Sequence, residues 1–325
     1  MKRYTEHMLT ALVCFLLVVI LNFALPRMLP GDPVAYLTGF DEEEMQEDRY
    51  AYYRNALHLD ESLPVQFRYY IASLLDGSLG YSYKKEARVW DLIKTRMGAS
   101  LQISLPAAVL SLALGLVWGL SCGYRKGKAG DRISTGGLLI LNALPEFAAA
   151  LILLILFAFK WPLFPYAGLS SGMTEGGSFA FLADRIHHLI LPWLALILAT
   201  LPSRYLMVRS STAAFAGDKS VQYARQRGLS NRTIKYRYIL KNIAQPYITM
   251  AGTAIGTCFS GSLVIESIFS VKGVGDLLNE GVYALDYPLL QGVLFVSTAC
   301  MVVCILISDL VCILIDPKVR KQVTP

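Results

Sequence analysis

Charge is scarce in this sequence: only 17% of its 325 residues are charged while 54% are hydrophobic, and the mean hydropathy is +0.47. One soluble core cannot hide that much apolar surface, so the excess must face lipid. Histidine is scarcer still, with four residues, and none stands at metal-ligand spacing to a cysteine. The six cysteines (Cys14, Cys122, Cys258, Cys300, Cys304, Cys312) lie in or beside apolar runs without a Cys-x-x-Cys pair. Although Cys300 and Cys304 share a helix face, all six read as small apolar residues. His187 and His188 adjoin Asp184 and Arg185, but neighbouring residues on a helix point about 100° apart, so an interfacial pair without a metal is expected.

Other signatures are missing too. No His-Glu-x-x-His or clustered nucleophile is present, which argues against a membrane enzyme. There is no Gly-x-x-x-x-Gly-Lys-[Ser/Thr]: Gly123 to Ala129 has the wrong spacing and ending, and Gly217-Asp218-Lys219-Ser220 lacks the Gly before Lys. A nucleotide-hydrolysing P-loop is therefore not expected on this chain. No internal repeat and no pair of related halves with interrupted helices appears, which argues against an ion-coupled carrier acting alone. No small-x-small cleavage site follows the N-terminal apolar run, since Ala24-Leu25-Pro26-Arg27-Met28 fits one badly, so that run is expected to stay as a first span.

What is present is a series of long apolar runs, at about Leu9 to Leu25, Leu101 to Tyr124, Ile133 to Phe159, Leu189 to Val208, Pro246 to Phe269 and Leu289 to Ile315. Each is long enough to cross a hydrocarbon core of about 30 Å. The expected fold is an all-α integral membrane protein of about six transmembrane helices. Pro106, Pro145, Pro192, Pro202, Gly115, Gly252 and Gly256 inside the runs suit bends and close helix approach in lipid. Trp161, Tyr166 and Trp193 read as interfacial belt residues.

The net charge of +6 does not point to nucleic acid, because the basic residues sit where membrane topology wants them. With the N-terminus inside, the inner segments hold 18 of the 30 Lys and Arg, while 17 of the 24 Asp and Glu lie outside. Both termini are therefore expected in the cytoplasm. This divides the chain into a cytoplasmic N-terminus with the first span (1–25), an extracytoplasmic subdomain (26–100), a five-helix transmembrane core (101–315) and a cytoplasmic tail (316–325). The subdomain has its own aromatic content and an acidic stretch, Asp41 to Asp48, which reads as a solvated helix start.

The most informative connection is 209–245, with eight Lys or Arg (Arg209, Lys219, Arg225, Arg227, Arg232, Lys235, Arg237, Lys241) against the single acid Asp218. A helix-forming stretch is stopped by Gly228, and Ser230 stands as N-cap of a second short helix whose Ile234 and Tyr238 share one face. Helix, glycine turn and helix along the membrane make a rigid protrusion that a cytoplasmic protein can grip. The competing reading is a positive-inside loop on lipid headgroups.

This loop resembles the Glu-Ala-Ala-x-x-x-Gly segment of ATP-binding-cassette importer permeases. Ala224 and Gly228 match, while Gln222 and Tyr223 replace Glu and Ala. Val221, Ala224-Arg225, Arg227 and Gly228-Leu229 are similar to the oligopeptide, dipeptide and nickel branch, with Ser220 where Tyr is usual. Further features follow that branch in order. They are Pro30-Gly31-Asp32-Pro33, then Gly77 to Ser82 with Ser78 replacing Asp, then Glu266-x-x-Phe269-x-x-Lys272-Gly273-x-Gly275 with Lys272 replacing Pro. Asp286-Tyr287-Pro288 and Asp316-Pro317-Lys318-Val319-Arg320 complete the series.

The resemblance implies a permease subunit working with a second homologous permease subunit, two cytoplasmic ATP-binding subunits and an extracytoplasmic solute-binding protein. It implies no cofactor on this chain, ATP and Mg being used by the partner subunits. Its coupling loop would comprise Gln222, Tyr223, Ala224, Arg225, Arg227, Gly228, Leu229, Ser230 and Ile234. Peptides are the expected cargo, with nickel or a metal chelate as the alternative.

Acidic residues inside the runs are the remaining candidates, because each costs about 2.5–3.5 kcal/mol at a helix centre. Glu146 follows Pro145 near the middle of the third run; the two are candidate pathway-lining residues, and the competing reading for Glu146 is a structural pairing with a neighbouring helix or a partner subunit. Glu266 and Asp309, nearer helix ends, are expected to be architectural.

Overall fold

The computed structural model describes residues 2–28, 30–38, 46–172 and 177–315, with side chains from Val13 onward. The acids Asp41 to Glu44 and the Asp316 to Arg320 motif lie outside the described residues, as does the tail.

α1 (Lys2–Arg27) is followed by three short helices, α2 (Pro33–Thr38), α3 (Glu47–Ala56) and α4 (Leu63–Leu75). A two-residue antiparallel pair, β1 (Tyr81–Ser82) with β2 (Ala87–Arg88), then leads into α5 (Val89–Tyr124). The inner half of the chain continues through α6 (Ala129–Asn142) and α7 (Glu146–Leu154), which runs on as a π-helical turn, Ile155–Lys160. α8 (Phe179–Phe215), α9 (Lys219–Gln226) and α10 (Asn231–Thr233) follow, then a second π turn at Ile234–Ile239 and α11 (Leu240–Thr257). After a 3₁₀ turn at Cys258–Ser260 come α12 (Leu263–Ile268), α13 (Val274–Tyr283) and α14 (Tyr287–Ile315).

α5, α8 and α14 are each long and apolar enough to cross a membrane, and α6 with α7 would make a fourth span if counted together. The expected third span is not one straight helix. It breaks between Asn142 and Glu146, where Pro145 supplies no N–H and biases Leu144 away from helix, and its two halves meet at 94°. The expected fifth span also breaks. α11 ends at Thr257, and Gly261, at φ +68°, turns the chain into α12.

α5 and α8 form the central pair. Gly115, Gly119 and Gly123, four apart on one face of α5, let the backbones touch. A β-carbon on Gly119 would stand 2.8 Å from Val208 Cβ, and one on Gly123 would stand 2.5 Å from the Arg209 carbonyl oxygen. This is the small-residue contact that brings helices together in lipid, where no hydrophobic drive joins them. Near the end of the pair where α5 closes at Tyr124, Arg209 clamps Asp131 on α6, both bonds being 2.6 Å long.

The motifs before α5 are tied down by carboxylates, one of them reaching the start of α14. Asp32 Oδ1 accepts from Val34 N at 3.1 Å, capping α2, while its Oδ2 accepts from Tyr50 Oη at 2.7 Å. Ser82 Oγ donates to Asp286 Oδ2 at 2.5 Å, and Asp286 Oδ1 accepts from Leu289 N at the start of α14. Burial pushes the Asp286 carboxyl above the usual carboxylate range.

Candidate coupling loop and pathway cleft

The segment 216–239 is a folded clamp. Asp218 caps α9 by accepting from Ser220 N at 2.8 Å. At the other end Gly228 N donates to Arg225 O (2.9 Å) and Leu229 N donates to Ala224 O (3.2 Å). These two bonds are the Schellman closure, and they need the left-handed backbone that Gly228 adopts at φ +74°. Ser230 Oγ then accepts from Thr233 N at 3.2 Å, starting α10. Two capped turns with one glycine between them fix the angle between the short helices.

The clamp has two faces. Val221, Ala224 and Ile234 are buried against Leu120 of α5, Val208 of α8, and Ile239 and Ile243, with Leu229 and Tyr238 packed at the edge. Ala224 is 2% exposed, which leaves no room for a larger side chain. Tyr124 Oη donates to Asn231 Oδ1 at 2.7 Å, and Arg225 lies over the Tyr124 ring, so the end of α5 is tied to both short helices. Gln222, Tyr223, Arg225 and Arg227 point outward, Tyr223 being 64% exposed. The site residues Gln222 to Ile234 thus form one body, keyed into three long helices and polar on its free side.

The three intramembrane acids differ completely. Glu266, on α12, is fully enclosed: its Oε1 accepts from Ser100 Oγ at 2.6 Å and Ser262 N at 3.2 Å, and its Oε2 accepts from Asp276 N at 2.9 Å. A β-carbon on Gly261 or Gly273 would stand 2.4–2.5 Å from that carboxylate, so the glycines of the Glu-to-Gly motif are the walls of its pocket. Lys272, in the position usual for Pro, ion-pairs with Asp276 at 3.2 Å and Glu280 at 3.7 Å and holds the first turns of α13. Asp309 is exposed on α14.

Glu146 is half-buried at the first turn of α7, with Pro145 as its N-cap residue, and its Oε1 accepts from Ser262 Oγ at 2.8 Å. It lines a cleft of about 330 Å³ between α5, α7, α8 and the broken segment from α11 to α12. Arg204 of α8 lines the same cleft. In the sequence Arg204 is one of the 18 Lys and Arg assigned to the inner segments. Its place within an apolar helix, four residues after Thr200 and with Pro202 between, was the available signal.

His188 Nδ1 lies 2.8 Å from Asp184 O and His187 Nε2 lies 2.8 Å from Leu163 O, so the two rings serve different partners. Among the described residues no cluster of His, Cys, Asp and Glu could hold a metal ion.

With this geometry in hand, comparisons place the chain. The profile of the "Binding-protein-dependent transport system inner membrane component" family matches residues 115–321, and its N-terminal counterpart matches residues 1–105. The chain is 30% identical over 331 residues to the dipeptide transport system permease protein DppB of Escherichia coli (strain K12), covering 95% of each. It is 31% identical to the di/tripeptide transport system permease protein DppB of Pseudomonas aeruginosa, covering 94% of each. It is 28% identical to the dipeptide transport system permease protein DppB of Bacillus subtilis, covering 98% of each. The two profiles together take in both the outer motifs and the clamp, and the chain belongs to the family of binding-protein-dependent transport system inner membrane components.

Proposed function

We propose that this chain forms half of the translocation pathway of an ATP-driven importer of short peptides. In that assembly it spans the inner membrane six times with both termini in the cytoplasm. It pairs with a second homologous permease, binds two cytoplasmic ATPases that use ATP and Mg, and receives cargo from an extracytoplasmic solute-binding protein. The names of the relatives support peptide over nickel.

The observation that carries the reading is the two-faced clamp around Gly228. Its apolar side is locked into α5, α8 and α11, so a push on its polar side moves long, stiff helices rather than a slack loop. Closure of the ATPases would shift the clamp, tilt α8 and α11, and switch access to a pathway lined by Pro145 and Glu146.

Cells lacking this chain should lose uptake of labelled dialanine and regain it on complementation, with nickel uptake unchanged. Undiminished dialanine uptake, or a selective loss of nickel uptake, would overturn the cargo assignment.

A further inference from the structure

Among the described residues, Glu146 and Arg204 are the one acidic and the one basic side chain lining the cleft. They do not neutralise each other, since among the described residues no ion pair joins them to one another or to any other group. Charges left apart within an apolar bundle are expensive and persist facing a water-filled cavity or a ligand.

Each is held with part of its hydrogen-bonding capacity unspent. Arg204 is 8% exposed, and its Nη1 donates to Ala108 O at 2.8 Å and to Ser111 Oγ, while Nε and Nη2 donate to no described residue. Glu146 accepts through Oε1 from Ser262, and its Oε2 accepts from no described residue. Ser104, Thr200 and Thr257 also line the cleft, the hydroxyls of Thr200 and Thr257 donating to Leu196 O and Ala254 O.

We infer that this cleft is a passing site for a zwitterion, with Glu146 meeting the α-ammonium of a short peptide and Arg204 its terminal carboxylate. The inference rests on the peptide reading above and assigns it a recognition pair. A volume of about 330 Å³ lies within the range of ligand pockets, about 300 to 1,000 Å³, and has room for a short peptide. A guanidinium matches a carboxylate with two parallel bonds, and Nε with Nη2 is a pair of donors suited to that fork. A bare divalent cation, in contrast, would be repelled by Arg204.

The test is uptake of labelled dialanine into proteoliposomes holding the complete importer, with saturating binding protein, alongside binding-protein-stimulated ATP hydrolysis. Glu146→Gln and Arg204→Gln should each lower uptake about tenfold, the loss of one charge-assisted bond, while stimulated hydrolysis continues. Arg204→Lys, which keeps the charge but not the fork, should fall between wild type and Arg204→Gln. Uptake within twofold of wild type in both Gln variants would overturn the recognition pair. So would an equal loss of uptake and hydrolysis in both, which marks a purely structural role. Failure of the wild-type importer to move dialanine would instead overturn the peptide reading itself.

Discussion

Glu146 and Glu266 are two carboxyl groups served by one serine: Ser262 Oγ donates to Glu146 while Ser262 N donates to Glu266. Glu266 also takes a serine hydroxyl and a further backbone N–H, and glycines enclose it. Glu146 takes the single hydroxyl and opens on a cleft. The difference teaches how to tell a structural charge from a working one inside an apolar bundle. A carboxylate whose acceptor sites are filled by fixed donors has nothing left to offer a ligand. One with a free oxygen and a half-buried position does.

The largest effect should come from Glu266→Ala, which leaves Ser100 Oγ and the surrounding N–H groups without their buried acceptor. Loss of about 3–5 kcal/mol is expected, read as low membrane abundance and a strongly lowered unfolding temperature of the purified protein. Gly273→Ala should follow at about 1–3 kcal/mol, because the added methyl meets Ser100 Oγ and the Glu266 carboxyl group at 2.4–2.5 Å. Ser262→Ala tests the shared residue: it removes the cap of α12 and the only described donor to Glu146 but spares the N–H to Glu266, so about 1 kcal/mol should be lost. If Glu146→Ala proved as destabilising as Glu266→Ala in the same unfolding measurement, the contrast between the two carboxylates would fail.

Much of the clamp was legible in the sequence because its determinants are local. Gly228 and Ser230 act on backbone within three residues of themselves, and the alternation of buried Val221 and Ala224 with exposed Gln222, Tyr223 and Arg225 is a helix period. The Glu266 motif was legible as a pattern, but its reason was not: the hydroxyl that pairs with it comes from Ser100, 166 residues earlier. A bend at Pro145 was legible but its size was not, because hydropathy averages over a window and registers neither a 94° angle between the two halves nor a left-handed turn at Gly261. Arg204 was hidden for the same reason as Ser100. Its meaning depends on which side of α8 faces Ala108 and Glu146, and that is set by the glycine contacts between α5 and α8.

The clamp is the part through which a partner would move the membrane helices. The most direct measurement is dialanine uptake by an importer carrying Gly228→Val, compared with wild type at equal membrane abundance. Valine is strongly disfavoured in the left-handed backbone at this position, although open space surrounds it, so the turn must deform without a packing clash. The account predicts an assembled importer in the membrane whose uptake is abolished or reduced at least about tenfold, the deformed turn no longer passing motion to α8 and α11. Uptake equal to wild type in that variant would contradict it.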